Sequence, residues 1–418
     1  MSRCLGTFIV GIAATMAAGC GGSSPSVPPQ GTTVAVTFGG VATPQAVATQ
    51  SGDGPFVAAS LQGGNQLFLT LPSGTTKYGI AYVCSAFNDE FVFEATTQDA
   101  TVLTLSCPSA ASLTLGAATG SVDASAITGA TNVFVRGSGG GGSLGGVAEP
   151  FSVSMQDGVN DVAFIATDSN GKALGVKIAR GQNIPGAVNG GSTVLFGTGD
   201  ATTTQPVTIN NVPAGFPVPD GVFAQYHTVN GTSFPLLLSL GFNSPLPGTY
   251  PAVPAGATQS GDFYLYQSNT LNAPAGNQQV GTTLTTTSGG GPLTMTLPAP
   301  WSYAGPTPAK FPTFTFDYSS FSAQPAVSQQ VLLTWPVGTS RNLMQVMATA
   351  NFQSGAKTLT VPDLSALNGF FPPAASGAQV SWIADIFGGT MHQFIFSVNP
   401  PANGSFSFVE NRGSYIQP

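Results

Sequence analysis

Few residues in this 418-residue chain carry chemistry-bearing side chains, and their spacing decides what they could do. Gly141-Gly142-Ser143-Leu144-Gly145 matches the Gly-x-Ser-x-Gly pattern of a nucleophile elbow. That elbow requires a strand before the serine and a helix after it. Here the serine sits in a glycine run, Gly137 to Gly146, with another apolar alternation beyond it, so no acyl-transfer site is expected. The two histidines, His227 and His392, stand far apart, and two are too few for a histidine-rich metal site. A Ser–His–Asp triad would have to recruit one of them from a distant part of the chain. No catalytic residue is assigned.

Asp157, Asp161 and Asp168, with Asn170 beside the last, form the densest group of oxygen ligands. Such a group at loop ends is a candidate calcium stiffener, although no EF-hand spacing is present and the same residues serve ordinary turns. Beyond this calcium candidate no metal is expected, and no cofactor. A glycosidase needs two carboxylates facing each other across a cleft. Seventeen scattered acids do not single out such a pair. Among the aromatics, Trp382 shares a strand face with Val380, Ala384 and Ile386, as a buried sandwich tryptophan does. Trp301 stands in a Pro-rich stretch and is the candidate for an exposed stacking ring, with Tyr264 and Tyr266 as further aromatics.

The elements that must position these residues read as strands. Alternating apolar and polar residues bounded by Gly, Pro, Asn and Asp recur along the chain. Five Asn-Gly pairs, at Asn170, Asn189, Asn230, Asn368 and Asn403, supply the positive backbone angles of tight turns. Expected strands are Gln66–Leu71, Tyr78–Cys84, Phe91–Ala95, Thr101–Cys107, Val133–Arg136, Phe151–Met155, Asp161–Thr167, Lys172–Ala179 and Val222–Val229. Those following are Ser233–Leu240, Asp262–Gln267, Leu293–Leu297, Thr313–Tyr318, Gln330–Trp335, Lys357–Val361, Gln379–Phe387 and Gln393–Val398. Arg341–Ala350 fits a strand better than a short helix, and Pro362–Asn368 fits one helical turn stopped by Gly369. The Gly137–Gly146 run is expected to be a flexible loop. Leu69-Thr70-Leu71-Pro72, Met295-Thr296-Leu297-Pro298 and Leu359-Thr360-Val361-Pro362 each end a strand with Pro, a weak internal echo.

The expected fold is all-β, a tandem of β-sandwiches of immunoglobulin-like or transthyretin-like type. The expected blocks are 32–115, 116–200, 201–300 and 301–418. The opening Gly120-Ser121-Val122 and the strand order of the second block carry the faint resemblance to transthyretin-like sandwiches. Cys84 and Cys107 are expected to pair, closing a loop that would stabilise the first block by about 3 kcal/mol. In a simple meander their strands would lie about 10 Å apart, beyond the roughly 7 Å Cα separation that a disulfide tolerates. Phe91–Ala95 is therefore not expected between them. A sandwich would allow the bridge between facing sheets or between adjacent strands. Zinc would need two further ligands and is the weaker reading.

Only 6% of residues are charged, against about 25% in ordinary globular proteins. No Lys/Arg cluster exists, which argues against nucleic-acid binding. The N-terminus runs from basic Met1-Ser2-Arg3 through the apolar Leu5–Met16 to Ala17-Ala18-Gly19-Cys20. This order is that of an export signal, and the apolar run is too short for a permanent span. The last four residues resemble the lipobox of bacterial lipoproteins, with Ala17 where that family usually has Leu. The resemblance implies a signal peptide at 1–19, lipid attachment at Cys20, and a Gly/Ser/Pro tether over 20–31. Gly21 after the cysteine, by resemblance to enteric sorting, implies the outer membrane. Loss of Arg3 from the ten basic residues leaves nine against 17 acids, a formal charge of −8. The expected role is non-catalytic binding, adhesion or structure at the envelope. The membrane would be held through the lipid, with an extracellular glycan or protein as ligand. The alternative is an envelope hydrolase of glycans or peptides.

Overall fold

The structure is a computed structural model. It describes residues 31–39, 43–84, 89–107, 114–219, 222–236, 248–272, 276–287, 289–321, 327–390 and 403–418. Cys20, the expected signal at 1–19, His392 and the expected strand Gln393–Val398 lie outside the described residues.

The chain is all-β, and one strand circuit recurs along it. The first pass contains β1 (Thr33–Gly39), β2 (Ala46–Ser51), β3 (Val57–Ala59), β4 (Gln66–Thr70), β5 (Lys77–Cys84), β6 (Asp89–Thr96) and β7 (Val102–Ser106). A small sheet, β4-β1-β7, faces the strands β3-β2-β5-β6. β1 pairs antiparallel with β4 and parallel with β7.

The second pass has β8 (Leu115–Asp123), β9 (Asn132–Gly137), β10 (Gly140–Ser143), β11 (Ala148–Gln156), β12 (Gly158–Thr167) and β13 (Ala173–Ile184). Two short pieces, β14 (Gly186–Ala187) and β15 (Val194–Leu195), then take the seventh place, parallel to β8. Its sheets are β11-β8-β14 and β10-β9-β12-β13.

The third pass has β16 (Thr203–Asn210), β17 (Phe223–His227), β18 (Ser233–Pro235), β19 (Thr249–Ala252), β20 (Phe263–Leu271), β21 (Gln278–Thr286) and β22 (Leu293–Thr296). β19-β16-β22 faces β18-β17-β20-β21, again with a parallel pair between first and seventh strands. The fourth has β23 (Thr313–Thr315), β24 (Val327–Val337), β25 (Ser340–Thr349), the single-turn α1 (Ala350–Gln353), β26 (Thr358–Thr360), β27 (Gln379–Gly388) and β28 (Gly404–Ile416). It makes the first six steps of the same circuit.

An immunoglobulin constant-type sandwich places strands A, B, E and D on one sheet and C, F and G on the other. With the seven strands lettered in order, these sandwiches place D, A and G against C, B, E and F. The order departs from the immunoglobulin one.

The large sheets of the first, fourth and third passes fuse into one twelve-stranded sheet among the described residues. β6 joins β25 in parallel, and β28 joins β21 antiparallel. The large sheet of the second pass stays separate but has apolar residues on both faces. Val162, Phe164 and Ala166 of β12 point into its own core, while Ala163 and Ile165 pack with Tyr226, Tyr250 and Tyr266 of the third. This double use explains why β12 is buried at successive residues, where a half-exposed strand would alternate.

Cys84 ends β5 on the large sheet, and Cys107 follows β7 on the small one. Their disulfide bridges facing sheets at a Cα separation of 5.6 Å. β6 lies beside β5 and not between the bridged strands. Arg341–Ala350 is a strand through Thr349.

Two local expectations need correction. Part of the Gly137–Gly146 run is strand β10, paired with β9. A Cβ on Gly140 would lie 2.2 Å from the Ser154 carbonyl oxygen, so only glycine lets this edge approach β11 so closely. Pro362–Asn368 forms non-helical turns, with Leu367 N–H bonded to the Leu364 carbonyl.

Candidate functional site

A polar cleft of about 810 Å³ lies where the second sandwich meets the third. Three turns form its walls. The β9–β10 hairpin supplies Arg136 to Gly140, the β11–β12 turn supplies Gln156 and Asp157, and the β17–β18 turn supplies Asn230 and Gly231. Gly231 has φ +84°, the left-handed value that its place after Asn230 in the hairpin requires.

Buried polar groups hold these turns in place. Asn160 donates to the carbonyls of Gln156 (2.7 Å) and Gly158 (3.2 Å), and its Oδ1 accepts from the Ser138 N–H (3.1 Å). One amide therefore ties the β11–β12 turn to the β9–β10 hairpin.

Behind the Asn230 wall, Arg180 of β13 joins the two sandwiches. Its Nη1 donates to Asp161 (3.0 Å) and its Nη2 to Asp262 (2.6 Å) and to the Ala257 carbonyl (2.6 Å). Asp161 also accepts from Gly181 N–H and Asn230 Nδ2, both at 2.9 Å. Asp262 accepts from Tyr226 Oη, Val229 N–H and Gln259 N–H. Burial works to raise the pKa of Asp161, but the bonds from Asn230, Gly181 and Arg180 outweigh it and hold the carboxyl below its ordinary value. The carboxylates thus fasten both ends of the Val229–Asn230 segment.

Arg136, in contrast, has no such partner. Among the described residues no carboxylate lies within 4.0 Å of its guanidinium, and its buried Nε has no hydrogen-bond partner. Its cation lies 6.0 Å from the Phe134 ring centre.

The three aspartates singled out from the sequence are not brought together. Asp157 lines the cleft, Asp161 is committed to the Arg180 network, and Asp168 accepts from the N–H groups of Asn170 and Lys172 as a turn residue. The calcium candidate is thereby corrected: these oxygens already serve separate tasks. Among the described residues no group of three His, Cys, Asp or Glu side chains could hold a metal ion. Trp301 is also corrected. It is 7% exposed, packs on Tyr303 and Phe316, and its carbonyl accepts from Gln278 Nε2. Chain neighbours in a Pro-rich stretch could not show that the fourth core closes over this ring.

Trp382 is buried with the apolar face expected of it, and Tyr264 and Tyr266 are core residues. His227 stacks on Phe263 at 4.6 Å and meets Gln225 at 3.1 Å; burial lowers its pKa. Ser143 lies on β10, and β11 follows it, so the helix of a nucleophile elbow is absent there.

Nothing in the local sequence marks Arg136, Asn160, Arg180, Asp262 or Asp385 as functional. Asp385 and Glu410 are cross-strand neighbours on β27 and β28. Burial, with the Glu410 charge beside it, pushes the Asp385 carboxyl well above its ordinary value. Asn230-Gly231 was legible as a turn, but the meeting of Arg180 with Asp262, 82 residues on, leaves no local signal.

No family model matches the chain. None of the curated protein sequences compared is significantly similar to it. Among solved structures, the Bacillus anthracis TIE protein aligns with 64% of this chain at 10% identity and a TM-score of 0.15. This chain covers 50% of that protein's length. So low a TM-score carries no argument about fold or function.

Proposed function

We propose that the chain is a lipid-anchored cell-envelope protein with a non-catalytic binding or adhesive role. It would be exported by residues 1–19, acylated at Cys20 and held at the outer membrane. The observation that carries the binding reading is the polar cleft between the second and third sandwiches, with walls set by buried side-chain bonds. Preorganised walls lower the ordering cost of binding. The amide and hydroxyl lining suits a polar extracellular ligand, a glycan before a hydrophobic molecule.

The hydrolase alternative would rest on Asp385 and Glu410. Neither lines the cleft, which weakens it against the binding reading. A glycan and matrix-protein array with the full chain tests the proposal, with Ser233→Trp, which puts a bulky ring in the cleft wall, as the control. The expected result is a ligand lost in the variant. A blank array, or binding that ignores the tryptophan, refutes it. The anchor is tested by Cys20→Ala, which should abolish fatty-acid labelling and membrane retention; persistent labelling would overturn it.

A further inference from the structure

We infer that Arg136 reads a carboxylate, and that the ligand of the cleft is an acidic saccharide carrying uronic acid units. The inference rests on the cleft being a binding site. Arg136 stands half-exposed in the concave wall with no carboxylate beside it among the described residues. Its buried Nε has lost water without gaining an acceptor, so its charge is met by neither protein carboxylate nor full hydration. Its planar fork suits a carboxylate bidentately. On β10, a Cβ at Gly141 would lie 2.3 Å from the Val135 carbonyl oxygen and 2.8 Å from Arg136 Cδ, so glycine there keeps both the strand pairing and the arginine side chain in place.

The remaining lining selects what surrounds the carboxylate. Asn230, Gln156, Ser138 and Ser233 offer amide and hydroxyl groups, and Asp157 offers an acceptor for ligand hydroxyls. A densely phosphorylated polyanion would meet Asp157 and a chain of net charge −7. One carboxylate per sugar, with hydroxyls between, carries less charge density and lessens that repulsion. A peptide is disfavoured for another reason. The apolar side chains of the lining are Val159 and Pro235, which offer no side-chain pocket, and Pro235 removes an N–H from edge strand β18.

Titration calorimetry on the full chain tests this, with trimers of galacturonate, glucuronate and mannuronate, their carboxyl-reduced counterparts, and an Asp/Glu-rich peptide. One uronate trimer should bind at least tenfold more tightly than its reduced form. Arg136→Gln should weaken it by about 10- to 100-fold, the range of a charge-assisted bond. Arg136→Lys should fall between, and unchanged circular dichroism would show that both variants fold. No uronate binding, an unaffected Arg136→Gln, or preference for the peptide overturns the inference. Equal binding of the neutral trimer, lost in Ser233→Trp, sinks the acidic saccharide but leaves the cleft reading. Binding that survives Ser233→Trp sinks both.

Discussion

Arg180→Met removes the cation that two buried carboxylates share. Asp161 is fully buried and Asp262 nearly so, and the Arg180 side chain is 24% exposed. Breaking a buried pair by deleting one partner costs about 3–5 kcal/mol. The lower end applies here, because Asp161 keeps Gly181 N–H and Asn230 while Asp262 keeps Tyr226, Val229 and Gln259. About 3 kcal/mol should appear as local opening, since several sandwiches in one chain do not melt as a single two-state unit. Amide hydrogen exchange reads it directly. The N–H groups of Gly181 and Val229 bond to these carboxylates, and their exchange should accelerate by about 100-fold. The depressed pKa of Asp161 sets the pH window. Its contribution is whole above the unfolded value of about 3.9 and is lost as pH falls through the lower folded value, so neutral pH shows the full effect. Exchange within threefold of the parent protein at both amides would refute the clamp.

Two other perturbations test the fold. Reduction of Cys84–Cys107, or Cys84→Ala with Cys107→Ala, opens a loop closed across 23 positions and should destabilise the first sandwich by about 3 kcal/mol, read as an earlier denaturant transition. An unmoved transition would show that the facing sheets hold without the bridge. Glu90 is buried, and burial raises its pKa to about 7 despite the bond from Phe371 N–H. The folded state holds its proton where the unfolded state has released it, so stability should fall between about pH 4.3 and 7. Glu90→Gln should flatten that decline in denaturant melts taken across the window; an unchanged slope would remove Glu90 as its source.

Much of the strand layout was legible because half-buried strands alternate. Gln379–Phe387 and Gln330–Trp335 are examples, each matched to within about three residues by β27 and β24. Two of the strands passed over have weaker patterns: β21 is rich in threonine, and β28 carries Glu410, Asn411 and Arg412 in its middle. Their place is set by neighbours, since each lies inside the twelve-stranded sheet. The Pro-ended echo gained meaning from the topology. Leu69-Thr70 and Leu359-Thr360 close β4 and β26, the same fourth step of the circuit, whereas Met295-Thr296 closes β22, a seventh step.

The cleft was less legible than the strands. By sequence Asp157 reads as a metal ligand and Asn230-Gly231 as a turn, and neither marks a cleft wall. Glycines at 140 and 141 read as flexibility, because composition does not distinguish a loop from a strand pressed against another backbone.

The sequence by itself determined the all-β class, the pairing of Cys84 with Cys107 and the apolar faces of individual strands. These follow from local alternation, from turn chemistry and from a chain that holds only four cysteines. Only the tertiary structure decided that three large sheets fuse, that Trp301 is enclosed, and that Arg180 joins two sandwiches while Arg136 has no carboxylate partner among the described residues at their cleft. Those outcomes depend on which residues meet across tens or hundreds of positions, and no periodicity within a strand encodes that.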